Sequence, residues 1–369
     1  MKRIYPFFFI LLILTGCTNP NLKDPVIEDL GMVGIMGFDY VDDEQTKVTV
    51  TLPQPQQDAE EQFQIFSTNV RLPHQAIMDV STLTEKVLTT SQLRVILFSE
   101  EYARKKGIWN IAENLYRDPH VGANVYFAVV KGTVEEMLNA DYKDKPEVNI
   151  YFTELLRPRT MTSFSPFTTI RDFIYRHTDE ISDPTMPYLE VVKPNSAKIS
   201  KVALFKNGKM IDTIEPEEAK LIEGMKQKKN LPDLTIEIPG EDGSQEEMVI
   251  MKFVTTHFEL TVNGNLKEPK IHVNLYIRGS IVDYDGNYQL DDNESRTKLQ
   301  EKINKKLERN VVTVLKTFQE LQVDPTGFGE AFRIRNPENW SKEKWNEAYA
   351  NAEITSNVET RIISTGTIR

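Results

Sequence analysis

The stretch Ser91-Gln92-Leu93-Arg94-Val95-Ile96-Leu97-Phe98-Ser99-Glu100-Glu101 sets the fold class of this chain. From Leu93 to Phe98 it is a continuous apolar run broken only by Arg94, the pattern of a buried strand. Ser99 then caps a helix whose first turn carries Glu100 and Glu101, placing negative charge at the positive end of the helix dipole. Gly107 stops that helix. A second helical pattern uses Ile108, Ile111, Ala112 and Leu115, and Asn124 to Val130 forms another buried strand. Thr133-Val134-Glu135-Glu136 is a capping box that opens a further helix. Strand, helix, strand, helix in this order predicts an α/β layer with a right-handed crossover.

Working outward, Met32 to Tyr40 and Lys47 to Leu52 read as two strands joined by a polar turn. Pro53 to Glu61 is a Gln-rich loop, and helical spacing follows at Ile77, Val80, Leu83, Val87 and Leu88. Ser165-Pro166 opens a helix with Phe167, Ile170, Phe173 and Ile174 on one face. Asp183 to Ser196 contains Pro184, Pro187 and Pro194 and reads as the main domain boundary. Beyond it, Ile199 to Phe205 and Lys209 to Ile214 flank Asn207-Gly208, a strong hairpin signal. A helix from Pro216 to about Met225 completes a ββα unit. Leu231 to Glu247 marks a second boundary. Met248 to Val262 and Lys270 to Asp283 are long strands, followed by a long helix with Leu299, Ile303, Leu307, Val311, Val314, Phe318 and Leu321 on one face. A helix near Trp340 to Tyr349 and a strand from Ala352 to Ile363 close an α+β part of antiparallel strands packed on helices. The expected architecture is thus multi-domain, α/β and α+β, with mixed sheets flanked by helices. Its parts are an N-terminal α/β domain over 25–190, a small ββα middle domain over 191–240 and a C-terminal α+β domain over 241–369.

The N-terminus has the three parts of a secretory signal: cationic Lys2 and Arg3, an apolar run from Phe7 to Leu14, and small residues before the cut. The run is too short to span a bilayer, which takes about 20 residues of helix. Leu14-Thr15-Gly16-Cys17 is the pattern of a bacterial lipoprotein, with a signal peptide over 1–16, a lipidated tether over 17–24 and acyl chains on Cys17 as the membrane attachment. Cys17 is the single cysteine, so disulfides within the chain are excluded. The formal charge of −11, which becomes −13 when Lys2 and Arg3 leave with the signal, argues against nucleic acid and against a polybasic membrane patch.

Catalytic and ligand motifs are mostly missing. Asp283, Asp285, Asn287 and Glu294 fall at positions 1, 3, 5 and 12 of a calcium-loop spacing, but Gly286 comes one residue early, and Asp285-Gly286 equally makes an ordinary turn. His74, His120, His177, His257 and His272 are scattered, with His257 and His272 on the polar faces of neighbouring strands. Two imidazoles do not make a zinc site. Gly327-Phe328-Gly329 lacks the third glycine of a dinucleotide fingerprint, because residue 332 is Phe. Lys131-Gly132-Thr133 has phosphate-loop residues in the wrong order. Asp42-Asp43 and Asp291-Asp292 sit in polar turns, where carboxylates stay ordinary. The expectation is a non-enzyme with no catalytic residues, no cofactor and no metal.

Several segments together resemble the Ger(x)C lipoproteins, the C subunits of spore germination receptors. They are Gly16-Cys17, Ser91 to Glu101 followed by Gly107, Leu115-Tyr116-Arg117-Asp118, Pro187-Tyr188-Leu189, Ala203 to Lys209, Asp324-Pro325-Thr326-Gly327-Phe328-Gly329, Trp340 to Trp345, and the tail from Ala352 to Arg369. They run in the family's order from signal to C-terminus. Thr18 departs from it, since many members carry Trp and then Asp after the cysteine. The resemblance implies a three-domain architecture without established enzymatic activity. It also implies a place on the outer face of the spore inner membrane beside membrane-embedded A and B subunits, of which the B subunit resembles amino-acid transporters. The role it implies is that of a lipid-tethered module that helps assemble the receptor or carry its signal. The rival expectation is an extracytoplasmic solute-binding lipoprotein that captures a nutrient directly, which usually shows two similar lobes closing on a cleft.

Overall fold

The computed structural model describes residues 26–54, 63–142, 144–157, 168–192, 195–240 and 245–365. The first part of the chain runs β1 (Leu30–Met32), β2 (Ile35–Tyr40), β3 (Thr46–Pro53), β4 (Phe63–Val70), α1 (Pro73–Ser81), β5 (Val87–Thr89), β6 (Val95–Ser99), α2 (Glu100–Lys105) and α3 (Trp109–Arg117). It continues through β7 (Tyr126–Val130), α4 (Val134–Leu138), α5 (Val148–Leu156), α6 (Ile170–Thr178), β8 (Thr185–Val192), β9 (Ser196–Lys206), β10 (Lys209–Ile214) and α7 (Pro216–Met225). The last part is β11 (Leu234–Ile238), β12 (Glu247–Asn263), β13 (Lys270–Tyr284), α8 (Asn293–Leu321), α9 (Gly329–Arg335), α10 (Lys342–Ala350) and β14 (Glu353–Ile362).

Eight strands form one sheet in the order β10-β9-β8-β7-β6-β2-β3-β4. Its centre is parallel, β2 with β6, β6 with β7 and β7 with β8, and antiparallel pairs finish both edges. Alternation along β6 feeds two cores: Ile96 and Phe98 pack under α1, α2, α3 and α6, while Val95 and Leu97 pack under α4 and α5. The local signals act as the sequence predicts at Ser99, whose hydroxyl accepts from Tyr102 N at 3.3 Å, and at Gly107, which sits at φ +77°. At α4, Thr133 accepts from Glu136 N, and the buried carboxylate of Asp39 accepts from Val134 N at 2.7 Å and Glu135 N at 3.1 Å. Gly37 lies under this helix, so close to Val134 that a Cβ would collide with it.

Several expectations are corrected. The helical spacing from Ile77 ends at Ser81, and Val87 and Leu88 belong to β5, which pairs in parallel with β1. The helix expected to open at Ser165-Pro166 begins at Ile170, behind a capping box of Thr169 and Asp172; Ser165, Pro166 and Phe167 lie outside the described residues. The proline-rich stretch expected to mark a boundary is not a plain linker, since it also carries β8, a strand inside the sheet. Pro187 fits there because pairing with β7 starts one residue later, at Tyr188 opposite Val129. The second boundary likewise holds β11.

The ββα segment has no sheet of its own. Its hairpin, turning on Asn207 (φ +50°) and Gly208 (φ +77°), continues the large sheet beyond β8. Along β9, Ala203 and Phe205 face the core under α1, α2, α3 and α6, whereas Val202 and Leu204 face the core of the C-terminal half. α7 packs entirely on that second core through Ala219, Leu221, Ile222 and Met225.

The C-terminal sheet has the order β11-β12-β13-β14. β13 and β14 are parallel, not antiparallel as expected, because α8, α9 and α10 carry the chain back to the same end. The 29 residues of α8 bury Leu299, Ile303, Leu307, Val311, Val314, Leu315 and Phe318 against the sheet. Each such side chain contributes about 1.5–3 kcal/mol on burial. Among the described residues no element packs on the opposite face of this sheet, where Thr255, Arg278, Thr355, Glu359 and Arg361 are exposed. At one end of it a bulge in β12 holds Phe253 at φ +53°, a conformation that costs a non-glycine residue about 1–2 kcal/mol.

Candidate functional site

Where the two halves meet lie the two most deeply buried carboxylates among the described residues, Asp324 and Asp183. Asp183 precedes β8, and Asp324 opens the loop Asp324-Pro325-Thr326-Gly327-Phe328-Gly329 between α8 and α9. The two residues are joined reciprocally: Asp324 N donates to Asp183 Oδ2 at 2.8 Å, and Asp183 N donates to the Asp324 carbonyl at 3.1 Å. Lys342, at the start of α10, places its Nζ 3.0 Å from Asp183 Oδ1. The same ammonium donates to the carbonyls of Asp179 and Ser182 at 3.3 and 3.2 Å.

The Asp324 carboxylate is fully buried and accepts four hydrogen bonds. Oδ1 takes the Thr326 hydroxyl at 2.6 Å and Gly327 N at 2.8 Å; Oδ2 takes Gly329 N at 2.8 Å and Trp345 Nε1 at 3.0 Å. Burial pushes this carboxyl above the usual range, against the pull of Thr326 and the N–H groups of Gly329 and Phe328. Trp345 is also fully buried, stacked among Phe332, Trp340 and Tyr349 with ring centroids at 4.9, 5.8 and 5.3 Å. Gly329 is required by contact: a Cβ there would stand 2.8 Å from both Trp340 and Trp345. A cleft of about 1040 Å³ opens beside the loop, floored by the parallel rings of Phe258 and Phe328, 5.9 Å apart. Arg176, Lys226, Glu330 and Arg333 line it.

This arrangement can hold two layers in register; it is not set up for acid–base work. Both oxygens of Asp324 are saturated and out of reach of a substrate, and Asp183 is committed to Lys342 and Asp324. The other candidates are dispersed. Of the calcium-like residues, Asp285 Oδ1 accepts from Met248 N at 2.6 Å and Glu294 pairs with Lys298 at 2.8 Å, while Asp292 of the neighbouring acidic pair caps α8 through Ser295 N. His120 contacts Asp118, His257 contacts Glu259, and His272 meets Thr355 across the β13–β14 pair at 2.8 Å. His177 stacks on Trp109 at 4.1 Å, and burial lowers its pKa, with Lys342 adding to the effect. Lys131 pairs with Glu190, and Thr133 is a helix cap. Cys17 lies outside the described residues.

The sequence shows Gly327-Phe328-Gly329 only as an incomplete dinucleotide fingerprint and Asp324 to Gly329 only as a stretch of family resemblance, and the junction is missed. The signal was an aspartate followed by Pro, Thr and two glycines, a loop built to turn its own N–H groups onto a carboxylate.

Comparison with known proteins gives concordant matches over nearly the whole chain. The family described as "Spore germination protein N-terminal domain" matches residues 24–191, and "Spore germination B3/ GerAC like, C-terminal" matches residues 200–366. Spore germination protein GerQC of Bacillus cereus is 24% identical over 366 residues, covering 99% of each chain. Putative spore germination protein YfkR of Bacillus subtilis (strain 168) is 21% identical, over 74% of this chain and 72% of that protein. The crystal structure of the GerBC protein superposes with a TM-score of 0.56 at 18% identity, covering 89% of this chain and 96% of that one.

Proposed function

This chain belongs to the GerAC-like family of spore germination proteins, and on that premise we propose that it is the lipid-anchored C subunit of a nutrient germinant receptor. The observation that carries the reading is the end-to-end match to GerQC together with a lipoprotein pattern at Cys17. No helix among the described residues is long and apolar enough to cross a membrane. Acyl chains on Cys17 would supply the attachment, on the outer face of the spore inner membrane. Thr18 to Pro25 reaches at most about 29 Å when fully extended, so the folded body would sit close to the lipid headgroups. There it would meet the A and B subunits and act without catalysis, helping to assemble the receptor or pass on its signal.

The shared strand β9 favours this role over nutrient capture by hinged lobes. Closing a cleft requires two bodies that rotate about flexible links, and here one strand is built into the cores of both halves. The test is Cys17→Ala in the full chain. Mass spectrometry should show a lipid on the mature wild-type N-terminus and none on the variant. Nutrient-triggered germination should fall with the variant, while a route that bypasses the receptor persists. Unmodified Cys17 in the wild type, or normal nutrient response without the chain, would refute the assignment. Micromolar binding of amino acids or sugars by the purified body, about −8 kcal/mol, would favour direct capture.

A further inference from the structure

We propose that the open face of the C-terminal sheet, at the end where Phe253, Arg278 and Arg361 meet, docks an acidic segment of a partner protein. Lys252 stands opposite Ser280 and Thr255 opposite Arg278, so Phe253 and Val254 share the space across from Gly279. Val254 turns into the core, and Phe253 is driven outward, 68% exposed, from a left-handed backbone that glycine or asparagine would adopt without strain. Stability alone gives no reason for a large aromatic there. A strained, outward-aimed ring is instead what an interface uses.

The neighbours define what it would take. Arg278 and Arg361 are in direct register on the parallel strands β13 and β14, whose backbones run about 4.8 Å apart. Like charges so placed repel, and among the described residues neither guanidinium forms an ion pair or a side-chain hydrogen bond. Ile363, 54% exposed, follows Arg361 on the same face. Two free guanidiniums are matched by carboxylates, which they grip in a forked geometry, and arginine with an aromatic is the composition of binding hot spots. The chain as a whole is strongly acidic, so an acidic partner is repelled elsewhere and steered to this end. Farther along, the face offers Asn274, Tyr276, Thr355 and Asn357, groups that hydrogen-bond to a polypeptide and not to lipid tails, together with one carboxylate, Glu359 opposite Tyr276, which leaves the two arginines in excess.

The inference rests on the receptor-subunit reading only for the identity of the partner. A photoreactive benzophenone analogue placed at Phe253 of the full chain in spores should give an adduct, on irradiation, with a peptide of another protein rich in Asp or Glu. The combined Arg278→Glu and Arg361→Glu change should lower that adduct at least tenfold. Adducts only with lipid, adducts only with a second copy of this chain, or a yield indifferent to the charge reversal would each overturn the proposal. Phe253→Gly separates docking from folding: it should leave the melting temperature equal or higher, yet slow the nutrient response several-fold. Normal germination with Phe253→Gly would also overturn it. An acidic adduct from a protein outside any receptor would uphold the surface and refute the receptor reading. Loss of germination on deleting the chain, with no effect of the charge reversal, would do the opposite.

Discussion

Asp324→Ala tests whether a single carboxylate organises the junction between the halves. The substitution leaves four donors without their acceptor: the Thr326 hydroxyl, Gly327 N, Gly329 N and Trp345 Nε1. The hydroxyl can rotate away, and Gly327 is partly open to water. Gly329 N and the Trp345 indole are buried, and each unsatisfied buried donor costs about 1–3 kcal/mol. Removing a buried charge returns part of this, since burial already pushes the carboxyl toward its neutral form. The net loss should be about 3–5 kcal/mol, a large share of a typical stability of about 5–15 kcal/mol. Asp324→Asn keeps one oxygen. Turned toward Gly329 and Trp345, it preserves both buried bonds and presents its amide to the Thr326 hydroxyl, so its cost should be about 1–2 kcal/mol. Urea unfolding of the soluble chain from Thr18 onward, followed by tryptophan fluorescence and far-ultraviolet circular dichroism, measures both variants. A loss below about 1 kcal/mol for Ala, or equal losses for Ala and Asn, would refute the argument.

Gly37→Ala should destabilise the protein by about 1–3 kcal/mol through collision with Val134, and the paired change Val134→Ala should recover much of it. Additive losses in thermal melts would show that the contact is not the cause. Burial raises the Asp39 carboxyl above its ordinary 3.8, opposed by bonds from Val134 and Glu135. The folded state therefore holds that proton more tightly than the unfolded one, and its stabilising contribution is complete below pH 3.8 and lost as pH rises through the folded value. Urea midpoints of Asp39→Asn should decline less with rising pH above 3.8 than those of the wild type; parallel profiles would contradict this. Calcium should leave the melting curve unchanged, because Asp285 and Glu294 already serve a turn and an ion pair. Occupancy at 100 times Kd would add about 2.7 kcal/mol, so an upward shift abolished by Asp283→Ala would restore the calcium reading.

The parts of the fold written in local chemistry were legible. Ser99, Gly107, Thr133 and Asn207-Gly208 each act where their side chains or backbone preferences place them, and the periodicity from Leu299 to Phe318 marks the buried face of α8. What failed depended on partners distant in sequence. Pro184 and Pro187 argue locally for a linker, yet β8 is held because β9 supplies its pairing through that stretch and β7 joins only after Pro187. Val87 and Leu88 continue a helical spacing, but the available partner is the backbone of β1. The same holds for the site. Asp324 draws its donors from its own loop and from Trp345, and it meets Asp183, far earlier in the chain, only where the two halves come together.

The double-sided strand β9 also bears on biogenesis. A chain that is synthesised from its N-terminus can assemble the large sheet as far as β10 before β11 to β14 emerge. At that moment Val202, Leu204 and Ile214 have only α7 to cover them, because the rest of their core belongs to the later half. The nascent protein thus passes through a stage with an adhesive apolar wall, when a holding chaperone would matter most. Chains broken off near Met225 should precipitate, although every strand of their own sheet is present.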